Sequence, residues 1–263
     1  MSAVFSKAAF GAAIIAASLA LGAAPAHAGL IGYYDFENSD AADSSGNGNH
    51  GTVGGGGGIS FAANGVGGSV AANFSGANGI ANMINTGIDI NASAIANLTM
   101  GAFVNAGIGV SPSGKVLSHD NGGFDRTLGL DTRGGSGGFA AFTGGGVLNS
   151  NTNPAVSFDF IAVRYNGTTV TLTVNGTHFT GTDFTGSDVS HLALYIGGNP
   201  GHGENWKGQI DNVFVFDHLL NDQELDKIYQ DGGIDTNPVP VPATGLLMVG
   251  IVAFAGLRAL RKR

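Results

Sequence analysis

The sequence predicts an all-β fold, a two-sheet antiparallel sandwich or jelly roll with one short late helix. Three observations carry that expectation. In "FDFIAVRYNGTTVTLTVNGTHFT" (Phe158–Thr180), Val170, Leu172 and Val174 alternate with threonines, the period of a half-buried strand. Asn166-Gly167 and Asn175-Gly176 sit where hairpin turns require positive φ, so two hairpins follow one another as a meander. The 46 glycines are scattered among β-type residues without a collagen period, which implies many turns and bulges. Only "NDQELDKIYQDGG" reads as a helix: Asn221 or Asp222 can cap it, Leu225, Ile228 and Tyr229 form an apolar stripe, and Gly232 ends it.

The remaining elements follow in order. "IGYYDFEN" (Ile31–Asn38) is aromatic and β-prone, while "GSVAANFSG" and "ANLTMGAFVNAG" are short runs bounded by glycine or asparagine. "HLALYIGG" and "GQIDNVFVFDHLL" are again strand-like. Short strands, regular turns and one late helix fit a sandwich or jelly roll. The glycine-rich stretches Gly54–Gly58 and Gly134–Gly146 add little to the reading.

Both ends carry addresses rather than fold. Residues 1–28 hold one early lysine, an apolar run from Ala8 to Ala24 and a small-residue exit at Ala26-His27-Ala28. That order is an export signal cleaved before Gly29; the alternative is a retained first transmembrane helix. At the other end, a linker, 235–242, leads to an apolar run, Ala243–Leu257, and to Arg258, Arg261, Lys262 and Arg263. The run is short for the ~20 residues that cross a bilayer, but Ala259, Leu260 and a snorkelling Arg258 extend it. The cations would stay on the cytoplasmic side. Uniform apolarity disfavours the alternative, a buried core helix. The layout resembles the bacterial PEP-CTERM sorting tail, in which a Val-Pro-Glu-Pro motif precedes a membrane segment and an Arg-rich end; here the motif is Val239-Pro240-Val241-Pro242. That resemblance implies processing by an exosortase-type enzyme and delivery to the surface, with residues 243–263 as a membrane segment and basic tail.

The body is acidic. Residues 29–238 contain six basic against 19 acidic residues, a net charge of −13. That balance argues against nucleic acid and against charge-driven docking on anionic lipid, and it is compatible with bound divalent cations. The chain has no cysteine, so thiol catalysis and cysteine-ligated zinc are excluded and no disulfide supports the exported body.

Little else points to catalysis. Glycoside hydrolysis needs two carboxyl groups roughly 5–10 Å apart, yet the body has only Glu37, Glu204 and Glu224 as glutamates, and no aspartates form a strand-spaced pair in an apolar setting. No Gly-x-Ser-x-Gly elbow occurs, the histidines lack the spacing of a zinc helix, and no glycine run leads from strand into helix as a phosphate loop does. The loop "DSSGNGNHGT" (Asp43–Thr52) is more suggestive. Its oxygens and glycines suit a hard cation that takes about six to eight oxygen ligands, but they equally suit an Asx turn satisfying its own backbone.

Three blocks together resemble the bacterial laminin-G-like, concanavalin-A-like jelly roll: "GYYDFEN…DSSGNGNHGT", "FIAVRYNGTTVTLTVNG" and "YIGG…WKGQIDNVFVFDHLLNDQEL". The resemblance spans most of residues 30–231 and places the domain at 29–234. It implies that the first and last strands lie side by side with a structural calcium ion where they meet the opening loop. The implied ligands are Glu37, where the family usually has aspartate, Asn49 with Asn47 or Asp43, and Asp211. Some enzymes of this fold carry Glu-x-Asp-x-x-Glu on one strand, and this chain has no such motif. Trp206, the only tryptophan, lies in "GNPGHGENWKGQ" near Asn199, His202 and Glu204; it is either an aromatic platform for a sugar or an aromatic packed beneath its own loop. The expectation is an exported, surface-anchored, non-catalytic module that binds carbohydrate or extracellular matrix. The alternatives are a structural matrix or biofilm component and, less favoured, a glycoside hydrolase.

Overall fold

The computed structural model describes residues 29–236, apart from 134, 136, 189 and 190. The expected signal segment 1–28 and the tail from 237 onward lie outside the described residues. Among the described residues no helix is long and apolar enough to cross a membrane.

The chain runs through β1 (Leu30–Tyr34), β2 (Thr52–Val53), β3 (Ile59–Ala62), β4 (Ala71–Ser75), β5 (Ile84–Asp89), β6 (Leu98–Ala106) and β7 (Lys115–Ser118). It continues through β8 (Thr127–Leu130), β9 (Phe139–Phe142), β10 (Val147–Asn149), β11 (Asp159–Tyr165), β12 (Thr169–Val174) and β13 (Thr177–Thr182). β14 (Ala193–Ile196), β15 (Lys207–Phe216) and α1 (Asp222–Asp231) complete it.

These strands form two antiparallel sheets. Sheet A has the order β13-β12-β11-β6-β15-β4-β3, with β1 also paired to β15; sheet B has the order β10-β9-β8-β7-β14-β5-β2. β15 organises sheet A. Along one edge it pairs with β6, and along the other it pairs first with β4 and then, from Val213 to Phe216, with β1. The first and last strands are therefore neighbours, as the resemblance implied.

The meander forms as expected. Val170, Leu172 and Val174 enter the core between the sheets while Thr169, Thr171 and Thr173 face outward. Asn175 and Gly176 both adopt positive φ, +49° and +79°, the twist that lets a two-residue turn continue a hairpin. The other turn has three residues, Asn166–Thr168, because the Asn166 side chain accepts from the amides of Thr168 (2.9 Å) and Thr169 (2.6 Å).

A second apolar cluster covers the outer face of sheet A. There Leu225 and Ile228 of α1 pack on Phe103, Phe160, Ala162 and Phe214, and Tyr229 stacks on Phe160 with ring centroids 5.4 Å apart. Asn221 is the N-cap of a complete capping box with Glu224, and Gly232 closes the helix in the left-handed conformation, so both ends are satisfied locally. Among the described residues no α-helix packs on sheet B. Its outer face carries Lys115, Thr127, Gly129, Ala140, Phe142 and Asn149, since these alternate with or lie opposite Leu128, Leu130, Phe139 and Ala141 of the core. Loops cover that face, and they bring charge with them.

Candidate functional site

The opening loop has a definite task. β1 pairs with β15 along one edge only, and an open strand edge leaves backbone groups unpaired. Asn47 Nδ2 donates to Leu30 O and Asn49 Nδ2 to Ile31 O, each at 2.7 Å. Asp43 Oδ1 accepts from Tyr33 N (3.0 Å), and Ser44 N donates to Tyr33 O (2.7 Å). The loop thus gives β1, largely in side-chain form, what a neighbouring strand would give. Asp43 also accepts from Ser45 N and Asn49 N, both at 2.9 Å. Burial opposes its ionisation, but bonds from Ser45, Tyr33 and Asn49 outweigh it and hold the carboxyl below its usual range.

Glu37 and Asp211, the other two expected ligands, belong to a different group. Asp211 is fully buried on β15 and accepts from Val66 N (2.9 Å), Ser69 Oγ (2.8 Å) and Asn212 N (2.7 Å). Exposed Glu37 accepts from Val70 N at 3.1 Å, so both carboxylates clasp the Val66–Val70 turn. Burial pushes the Asp211 carboxyl up, and the charge of Glu37 adds to the rise. Among the described residues no ion pair includes either acid. No hydrogen bond joins this pair to Asp43, Asn47 or Asn49, and no three His, Asp or Glu side chains among the described residues converge as a metal group. Of the five expected ligands, Asp211 and Glu37 are the two whose oxygens could serve a hard cation at this turn. Asp43, Asn47 and Asn49 are engaged with β1.

Trp206 is fully buried in the core between the sheets. Its indole N–H donates to Gln209 O at 3.4 Å. A ring with no exposed face offers no platform, so the packing alternative is the one the fold uses. Its neighbours in sequence are more informative. Gly197 and Trp206 form the neck of a loop, held by Asn82, whose Nδ2 donates to Gly197 O (3.0 Å) and Trp206 O (2.8 Å). Gly197 has φ +90°, and a Cβ there would lie 2.0 Å from the Phe74 ring; glycine alone fits.

That loop brings Asn199 and Glu204 over the outer side of sheet B, where they meet residues from three other segments. Asn199 Nδ2 donates to Asp120 Oδ2 (2.8 Å) and Glu204 Oε2 (2.9 Å). Arg133 bonds Glu204 and, through Nε (3.0 Å) and Nη2 (2.7 Å), Asp131. Lys115 Nζ donates to Asp131 Oδ2 (2.7 Å) and Leu130 O (2.6 Å) and lies 4.7 Å from the centre of the Phe142 ring. Asp120 in turn accepts the amides of Gly122, Gly123 and Asp125, which shapes the loop after β7. Burial opposes ionisation of Asp131, but Arg133 and Lys115 draw it down to about 2. Burial likewise opposes ionisation of Asp120, and Asn199 with the loop amides holds it low. Burial lowers Lys115, against the pull of Glu204 and Asp131.

Phe124 stands at the rim of this network. It is half-buried, meets Phe142 edge-on at 5.2 Å, and has the Arg133 guanidinium 5.5 Å from its ring centre. Its φ is +59°, a strained conformation for a bulky residue. The carbonyl of Phe124 is fixed by Gly144 N at 2.7 Å. Exposed His202 lies across the gap, 3.6 Å from where a Gly122 Cβ would stand. Asn199 Oδ1, buried, has no hydrogen-bond partner among the described residues; its amide orientation is fixed because the Nδ2 faces two carboxylates. Sequence reasoning named Asn199, His202 and Glu204 but missed Lys115, Asp120, Phe124, Asp131 and Arg133, which no local spacing links to them.

Two antiparallel sheets with neighbouring terminal strands and a polar, loop-covered outer face define a jelly roll of the lectin and glucanase type. The chain belongs to the concanavalin A-like lectin/glucanases superfamily, whose model matches residues 78–226, more than half of the sequence. Among solved structures, domain 4 of AbnA, a GH43 extracellular arabinanase from Geobacillus stearothermophilus solved with arabinotriose, aligns with a TM-score of 0.60 at 20% identity, covering 76% of this chain and 98% of that one. The binding domain of Paraclostridial Mosquitocidal Protein 1 aligns with a TM-score of 0.56 at 13% identity, covering 78% of this chain and 52% of the other. The botulinum neurotoxin type G receptor binding domain gives 0.54 at 12%, covering 77% and 51%. At these identities the likeness is one of fold. No curated protein sequence matches the chain.

Proposed function

We propose that this protein is a non-catalytic carbohydrate-binding module whose ligand lies against the loops over sheet B. The observation that carries the proposal is Phe124, a half-buried aromatic held at φ +59° beside Arg133, Glu204 and Asn199. Strain at a site open to solvent is a mark of function, and an aromatic flanked by convergent polar groups suits a sugar ring. The superfamily and the carbohydrate-complexed arabinanase domain support that class of ligand. A glycan array probed with the full chain in calcium-containing buffer should show binding, and Phe124→Ala should weaken it by about tenfold. A silent array counts against the reading.

One observation favours a second reading, a hydrolase. Burial pushes the Asp125 carboxyl up, helped by Asp188 and Asp120, while Asp120 is held low, and such divergence marks acid–base pairs. Against it, both carboxyls are buried within one loop. Release of reducing sugar from arabinan or xylan, lost in Asp125→Asn, would establish it.

The terminal segments support export and a surface address, with an exosortase-type enzyme reading residues 235–263 and the C-terminal run meeting the membrane. The intact mass of the surface form tests this, since cleavage at both ends leaves a body that starts at Gly29 and lacks the apolar run. A structural component of matrix or biofilm would share that address; loss of aggregation in a deletion strain despite a silent array distinguishes it. The same reading includes a structural calcium ion held by Glu37 and Asp211, where it would offset the charge of a buried acid and stabilise the fold by mass action. Calcium should raise the melting temperature of the wild type and leave Asp211→Asn unmoved; an unchanged wild-type melt in excess chelator removes the ion from the account.

A further inference from the structure

The outer face of sheet A holds a cavity that the network on sheet B does not touch. It is an open cleft of about 350 Å³, lined chiefly by Arg164, Thr169, Thr171, His178, Thr180 and Asp222. The strand register builds its floor. Arg164, Thr171 and Thr180 lie in one row across β11, β12 and β13, with Thr173 and His178 paired one row along. The alternation that sends Val170 and Leu172 into the core obliges these threonines to face outward.

The charged groups in this cavity are already oriented. Asp222 takes a 2.7 Å ion pair from Arg164 Nη2 and lies 3.6 Å from His178 Nε2, and Arg164 Nη1 donates to Leu220 O at 3.0 Å. His178 Nδ1 meets Thr173 Oγ1 at 2.9 Å. The guanidinium is thereby fixed, yet its Nε is buried and has no acceptor among the described residues. A buried donor calls for an oxygen from water or ligand. Among the described residues no hydrogen bond engages the hydroxyls of Thr169, Thr171 or Thr180, so each is open to donate and to accept.

We infer that this cavity is a second saccharide subsite, which takes one unit of a neutral sugar. The class of ligand rests on the carbohydrate reading above; the location does not. Neutrality follows from the charges. Arg164 and Asp222 cancel, and an anionic polymer would meet a body of net charge −13. Three hydroxyls and the remaining Asp222 oxygen mix donors with acceptors, as a polyol requires, and Leu219 supplies a small apolar wall. Because the outer faces of the two sheets point in opposite directions, two occupied sites would join two glycan chains, and linkage of that kind multiplies weak affinities.

The test is an amide and guanidinium NMR titration of the isotope-labelled full chain with arabinotriose and with xylotriose, using the variant Thr171→Val, Thr180→Val as control. The expected result is shifts at Arg164 Nε–H, Thr171 and Thr180 with at least one trisaccharide, about tenfold weaker in the double variant while its spectrum elsewhere stays that of the wild type. Shifts confined to Phe124, Asn199 and Glu204 overturn the second subsite and leave the carbohydrate reading standing. No shift at either place with either sugar overturns both. Tighter binding of glucuronate than of glucose at Arg164 overturns the neutral class.

Discussion

The outer faces of the two sheets are covered by opposite means. On sheet A, α1 lays Leu225 and Ile228 on a bed of Phe103, Phe160 and Phe214, and these central contacts are apolar, with the Asp222–Arg164 ion pair at the start of the helix. On sheet B, loops lay Asp131, Arg133 and Glu204 over Lys115 and Phe142, and the contacts are ionic. Apolar packing is non-directional and tolerates replacement by side chains of similar volume. A buried ionic network is directional, and removing one member strands a charge. The first cover suits a permanent scaffold. The second leaves Asn199 Oδ1 without a hydrogen-bond partner among the described residues and Phe124 strained at its rim, the two features on which the proposed ligand site rests.

The contrast breaks most sharply at Asp131. Asp131→Asn is nearly isosteric but leaves Lys115, 1% exposed, without its ion partner, and should cost about 3–5 kcal/mol in chemical denaturation. The pH dependence has a definite sign. The folded-state carboxyl titrates at about 2, below its unfolded value of about 3.9. Its contribution to stability is therefore present above about pH 4 and lost as pH falls from about 4 to about 2. The wild-type melting temperature should drop through that window, and Asp131→Asn should flatten this part of the profile.

On sheet A, Leu225→Ala should cost roughly 3 kcal/mol through the cavity it opens, whereas Leu225→Met should cost less than about 1.5 kcal/mol. A conservative change harmless under α1 and a conservative change damaging on sheet B would together establish the difference. Asn221→Ala removes the side-chain half of the capping box and should cost about 1 kcal/mol, read as a small fall in the denaturation midpoint with unchanged slope.

The same contrast explains what the sequence revealed. The meander and the capped helix were legible because one face of each differs chemically from the other, and the strands around "ANLTMGAFVNAG" and "GQIDNVFVF" because they are longer runs of apolar, β-prone residues. β1 stops at Tyr34, short of the expected Asn38, because Phe36 turns the chain at φ +58°. Most of sheet B was not legible. β8 and β9, "TLGL" and "FAAF", are buried at every position, so they show no alternation, and strands of two to four residues among glycines resemble the loops around them. The network on this sheet draws Lys115, Asp120, Asp131, Arg133, Asn199 and Glu204 from distant segments, and register, invisible in sequence, brings them together. The opening loop was legible as special, and its place beside β1 was expected; that its asparagines serve the strand edge required the backbone.

The most direct test of the account is a crystal structure of the protein soaked with arabinotriose. The account predicts sugar density against the Phe124 ring, within hydrogen-bonding reach of Arg133 or Asn199. An empty rim there, in crystals where a glycan array has already shown binding, would contradict it.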